Sequence, residues 1–249
     1  MSLFFRSKRP VLLIGMIMLI LTGSIQAVVA QSTLKPDFNA EFTVRVMGIN
    51  VGTASQSLSC EAQSCLLETS AIPDRWARRL ANEQTHERIE LGLDDNNQLR
   101  WLSYQKTLQR YRGNTTPQIT RFFWDSEANE IVNPDRNLSW PASEQAFDMI
   151  AIIYALRQSL RAGQHNPPLL LQEDKRQTPV SFVSANQTTQ VHTQFRSNLA
   201  ARYYEWASEE VQVKIWLLDD FAFFPGRIEL TQHDSGRSVI LSLKSPPTF

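Results

Sequence analysis

Asp148-Met149-Ile150-Ala151-Ile152-Ile153-Tyr154-Ala155-Leu156-Arg157-Gln158-Ser159-Leu160-Arg161 is the one long segment of this chain that breaks a pattern of strands and turns. Ile150, Ile152, Ile153, Tyr154, Leu156 and Leu160 make its first two turns apolar on nearly every side, so the predicted helix lies buried, not on a surface. Gly163 follows, as suits a helix C-terminus, and Arg157 and Arg161 complement the dipole there. Asp148 stands where an N-cap is needed. Its carboxylate is expected to take orphan backbone N–H groups; the competing reading is a catalytic carboxylate.

Upstream of this helix, Phe38, Ala40, Phe42, Val44 and Val46 alternate with polar residues before a Gly48-Ile49-Asn50 turn. Strands are expected at Val51 to Ser59, Gln84 to Leu91, Leu99 to Arg112, Gln118 to Trp124 and Glu130 to Val132. Downstream they are expected at Val191 to Arg196, Ala200 to Trp206, Val211 to Leu217, Arg227 to Gln232 and Ser238 to Leu243. Val211, Val213, Ile215 and Leu217 keep a strict period of two, so one face is buried. A short helix is expected at Asp74 to Ala81, with Trp76, Leu80 and Ala81 on one side and Arg75, Arg78 and Arg79 on the other. It would cap one end of the sheet or rest on an anionic membrane, capping being favoured because two turns bury little apolar area. One apolar helix among many antiparallel strands predicts a mainly β fold: a strongly curved antiparallel sheet, or partly open β-barrel, wrapped around one buried helix.

Cys60 and Cys65 are the only cysteines. Four residues separate them, and leucines lie on either side. This spacing suits a disulfide clamping a hairpin near its turn; facing residues of an antiparallel pair come within disulfide reach. A redox couple favours Cys-x-x-Cys at a helix start, which this is not. Two thiols and no paired histidines give no zinc site, and no phosphate loop or other cofactor motif occurs, so neither metal nor cofactor is expected.

The N-terminus sets the expected compartment. Arg6, Lys8 and Arg9 precede an apolar run from Val11 to Leu21, and Val28-Val29-Ala30 places small residues before Gln31. That is the order of a secretory signal peptide, residues 1–30, whose run is shorter than the ~20 residues needed to span a bilayer. Cleavage there leaves residues 31–249 as one β-rich domain in an oxidising space, most simply a periplasm. The full chain carries 25 basic and 25 acidic residues, and losing the leader's three cations leaves −3. That balance gives no basic face for nucleic acid, and no second stretch reaches membrane-spanning length.

Three stretches resemble domain-of-unknown-function family 3108, a family of exported bacterial proteins. Asp148 to Arg157 is similar to that family's Asp-x-Leu-Ser-x-x-Tyr-x-Leu-Arg helix, with Ile150 and Ala151 departing from it, and Gly163 follows. Ile215-Trp216-Leu217-Leu218-Asp219 and Pro225-Gly226-Arg227-Ile228-Glu229 resemble its Trp-x-x-Asp strand and Leu-Pro-Val-Arg-Ile continuation, from which Phe224 and Gly226 depart. The Gly48 and Gly52 region fits its opening hairpin. The resemblance implies an exported β-rich domain and no reaction.

No nucleophile motif stands out. Ser103-Tyr104-Gln105-Lys106 matches Ser-x-x-Lys in letters only, because it lies in an alternating strand. His86, His165, His192 and His233 are scattered. A binding role has more support. Trp101, Tyr104, Phe122 and Trp124 lie on adjacent strands among Arg100, Lys106, Arg110 and Arg121, and Tyr154 and Arg157 are one helical turn apart. As a site, these six residues (Trp101, Tyr104, Phe122, Trp124, Tyr154 and Arg157) would line an apolar cavity inside the curved sheet. As structure, they would be a packed core, with Arg157 paired to a carboxylate or carbonyl. The expected function is non-enzymatic binding of a lipid or other amphipathic envelope molecule. The alternatives are an interaction module for another envelope protein and, behind that, a cell-wall hydrolase.

Overall fold

The structure is a computed structural model describing residues 37–249, apart from 95, 96 and 186. The leader read at residues 1–30 lies outside the described residues. Strands β1 (Phe38–Val46), β2 (Ile49–Glu61), β3 (Ser64–Pro73), β4 (Glu83–Leu93), β5 (Leu99–Arg110), β6 (Gln118–Asp125), β7 (Glu130–Asn133) and β8 (Leu138–Pro141) form a first antiparallel meander. The chain then leaves it through β9 (Ala146–Phe147), helix α1 (Ala151–Arg161), β10 (Leu170–Gln172), β11 (Gln177–Pro179), β12 (Val183–Ser184) and β13 (Thr189–Val191). It returns as a second meander, β14 (Leu199–Ala207), β15 (Val211–Leu218), β16 (Phe224–Gln232) and β17 (Ser238–Leu243).

Antiparallel pairing of β1 with β17 joins the two meanders into one 14-stranded sheet, ordered β12-β14-β15-β16-β17-β1-β2-β3-β4-β5-β6-β7-β8, with β13 also on β14. Among the described residues β8 and β12 do not meet, so the barrel stays open. A small sheet, β11-β10-β9, completes the architecture. The mainly β fold, curved around one α-helix, is thus as the periodicity predicts.

Three register slips bend this sheet. Val51 bulges between β1 and β2, Leu102 between β4 and β5, and Gly226 between β15 and β16, each an extra residue that raises local twist. At Gly226 a Cβ would sit 2.7 Å from the Leu218 side chain, so glycine lets that bend close without displacing the leucine.

Every residue of α1 is buried except Gln158 and Arg161. Ile152, Ile153, Leu156 and Leu160 share one core with Phe38, Phe42, Leu67, Ile89 and Ile215 from the sheet and Phe147, Leu169 and Leu171 from the excursion. Each such aliphatic side chain contributes ~1.5–3 kcal/mol on burial. Cys60 and Cys65 face each other across the β2–β3 hairpin with Cα atoms 4.1 Å apart and their sulfurs bonded. Closing so short a loop stabilises by about 2 kcal/mol in the chain-entropy model.

Two expectations need correction. Asp74 to Ala81 does not form a two-turn helix but a single 3-10 turn, Ala77–Arg79. Ala77 points inward and Arg78 lies 4.2 Å over the Tyr111 ring, whereas Trp76 and Leu80 are exposed. So few residues gain too little from helix formation to hold it. The strand expected at Val191 to Arg196 stops at Val191. There Thr193 and Arg196 close a turn through Thr193 N to Arg196 O at 3.0 Å, and Asn198 takes a left-handed φ of 57°.

Candidate functional site

The six residues expected to line a cavity separate into two groups. Tyr154 is core: its ring stacks on Phe38 at 4.7 Å, and its hydroxyl donates to Gln56 Oε1. Burial pushes its pKa up. Arg157 is core as well. Its Nε donates to Ala222 O at 3.0 Å, and its guanidinium lies against both the Phe224 and Phe249 rings, 5.3 and 5.1 Å from their centroids. Burial, with Arg161 nearby, brings its pKa down to about 10. Rings and a carbonyl pack directly against this pair. Trp101 is 1% exposed, with Nε1 committed to Asp148 Oδ2 at 3.0 Å. Trp124 is half-buried under Arg100, 5.5 Å away.

Tyr104 and Phe122 do line a hollow, with rings 4.6 Å apart. Its volume is about 330 Å³, and Lys106, Gln118, Thr120, Met149 and Gln172 also border it. Trp101 and Tyr104, three residues apart, would face opposite ways in a regular strand; the Leu102 bulge turns both toward Phe122.

A larger groove, about 520 Å³, adjoins this hollow, and Lys106, Met149 and Glu173 border both. Its apolar floor comes from Val44 and Val46 at the end of β1, Val51 at the start of β2, Ala71 late in β3, Val211 at the start of β15, Leu230 late in β16 and Val239 early in β17. These positions lie at one end of the curved sheet. The C-terminal half of α1 is fastened at the other, where Gln158 Oε1 accepts from Leu99 N at 2.7 Å and Tyr154 meets Phe38. The helix therefore stoppers one end, and the residues just before it, Asp148 and Met149, border the hollows toward the open one.

The polar groups around the groove are mostly paired. Glu87 accepts from the Tyr104 hydroxyl at 2.7 Å and lies 3.7 Å from Lys106 Nζ. Glu173 meets Arg176 Nε at 2.9 Å, and burial raises its pKa against that cation. Glu210 pairs with Lys175 and Arg176, at 3.3 and 3.0 Å. Arg237 borders the groove with no acidic partner among the described residues. Asp148 is buried: Oδ1 accepts from Ile150 N and Ala151 N at 2.8 and 3.0 Å, the N-cap role, and Oδ2 from Trp101. Burial pushes its pKa up to about 6, against three N–H donors that favour the carboxylate.

None of the four histidines borders either hollow. His165 meets Arg202, His192 meets the Asn198 amide, and His233 meets the Glu209 carbonyl. Among the described residues no three His, Cys, Asp or Glu side chains gather as a metal site needs, and no helix is long and apolar enough to cross a membrane.

No protein-family model matches the chain and no curated protein does, so the likeness to family 3108 rests on its quoted motifs. Among solved structures the chain is similar to a β-barrel-like protein of domain of unknown function DUF1849 from Brucella abortus, at 11% identity and a TM-score of 0.49, over 85% of this chain and 96% of that one. It is also similar to a structure named as an outer membrane lipoprotein-sorting protein domain from Vibrio parahaemolyticus, at 10% identity and a TM-score of 0.23, over 86% and 85%. At these TM-scores neither likeness bears on function.

Proposed function

We propose that this protein binds an amphipathic molecule of the bacterial cell envelope, a lipid or lipid-like compound, without transforming it. The apolar part would lie on the floor from Val44 to Leu230, and the polar part would meet the rim. The groove itself carries this reading: an open, apolar-floored concavity whose volume falls within the ~300–1,000 Å³ of small-molecule sites. Its location would be the periplasm, reached by cleavage of the leader. The walls hold carboxylates and no histidine, and most of those carboxylates already have partners, which suits holding better than hydrolysis.

The test is titration with dansyl-labelled undecanoic acid, read by fluorescence. Saturable binding is expected, displaced by unlabelled phospholipid. Leu230→Glu, which puts a charge on the floor, should weaken binding about tenfold or more while circular dichroism stays unchanged. Absence of saturable binding, or a Leu230→Glu protein that binds equally well, would defeat the proposal. A second reading, a module for another envelope protein, draws on the unpaired edge at β8, where Leu138 is exposed and a partner strand can add.

A further inference from the structure

Met47, Ile49, Ile72, Trp76 and Leu80 are each between 50% and 64% exposed. Along the chain they are adjacent to the groove. Met47 follows Val46, Ile49 pairs with Val46, Ile72 itself borders the groove, Trp76 lies shortly after Pro73, and Leu80 precedes Ala81. They belong to two neighbouring connections, the β1–β2 turn and the β3–β4 segment, tied together where Asp74 N donates to Val51 O at 2.8 Å. Isolated exposed apolar residues are ordinary; five large ones gathered on one lip of a binding groove are not.

The charges on this lip are unequal. Arg75 and Arg79 are exposed, with no acidic partner among the described residues, and Arg45 bonds only the neutral Asn50. The acids here are Asp74 and Glu83, the second 3.9 Å from Arg110. On the far lip, Glu209 and Glu210 are already held by Arg176. Large apolar side chains flanked by unpaired arginines match an anionic lipid surface, whose acyl region takes the former and whose phosphates take the latter.

We infer that this lip docks on an anionic membrane surface, with Trp76 and Leu80 entering the interface and Arg75 and Arg79 meeting phosphates, so that the groove opens toward the lipid. The docking geometry stands on the lip alone; its purpose, loading or delivering the bound molecule, rests on the groove reading proposed above. Ala77 and Arg78 anchor the turn to the sheet, which leaves Trp76 free to project.

The experiment is co-sedimentation of the exported, purified protein with phosphatidylcholine vesicles, with and without phosphatidylglycerol. Quenching of tryptophan fluorescence by brominated phospholipid provides a second readout. Binding is expected only to the phosphatidylglycerol vesicles, with quenching that disappears in Trp76→Phe. Arg75→Glu with Arg79→Glu, and separately Trp76→Ser with Leu80→Ser, should each reduce vesicle binding about tenfold or more. Both variants should still bind the dansyl probe with unchanged affinity, since none of the four residues lines the groove. No vesicle binding, equal binding to neutral vesicles, or undiminished binding by either double variant overturns the inference. Vesicle binding in a protein that takes no dansyl probe would retain the docking surface and discard the groove reading.

Discussion

Asp148 concentrates three duties in one carboxyl group. It closes the start of α1, fixes Trp101 from β5 and forms part of the wall of the smaller hollow. Its folded pKa of about 6 lies above the ordinary aspartate value of 3.8, so between these values the native state holds a proton that the unfolded state has released. Stability must therefore fall as pH rises from about 4 to about 6, by at most about 3 kcal/mol, and then level off. Asp148→Asn keeps an oxygen for the Ile150 and Ala151 amides but turns an NH₂ group toward Trp101. We expect it to be less stable than the native chain at pH 4, by about 1–3 kcal/mol, with that gap narrowing by pH 7. Urea unfolding midpoints measured across this range test both statements.

At the scale of elements, the bulges decide how the strands curve. Gly52 follows the Val51 bulge, and a Cβ there would lie 2.2 Å from the Ile72 carbonyl oxygen, a backbone atom that cannot step aside. At Gly226 the clash is with a leucine side chain, which can change rotamer. Gly52→Ala should accordingly lower the melting temperature more than Gly226→Ala does, by a thermal scan of both. The bulges also mark where the sequence stopped being legible. Strict alternation revealed β15, and an unbroken apolar stretch revealed α1, because each follows from one residue's neighbours along the chain. Trp101 and Tyr104 share a face only because Leu102 is an extra residue against β4, and a partner strand's register is not written in the strand itself. The Asp74 to Ala81 segment shows the same limit: its helical periodicity is present in the sequence, but so short a stretch holds only one 3-10 turn.

For the whole molecule, the end-to-end arrangement matters most. Tyr154 and Arg157 were sensible candidates as polar groups on a buried helix, but their partners, Phe38, Gln56, Ala222, Phe224 and Phe249, come from distant parts of the chain. Tyr104 and Phe122 border the smaller hollow, whereas the groove floor has no signature in the sequence because it gathers one or two small apolar residues from each of six strands. The same helix is tied to β5 by Asp148 and Gln158, to β2 by Tyr154 and to the β15–β16 turn by Arg157. It cannot leave without parting both meanders at once. Amide hydrogen exchange should therefore place the α1 protons from Ile152 to Leu160 in the slowest class, exchanging at the free energy of global unfolding and sharing its urea dependence. Faster exchange along α1 alone would mean that the stopper can be drawn while the staves of the cask still stand.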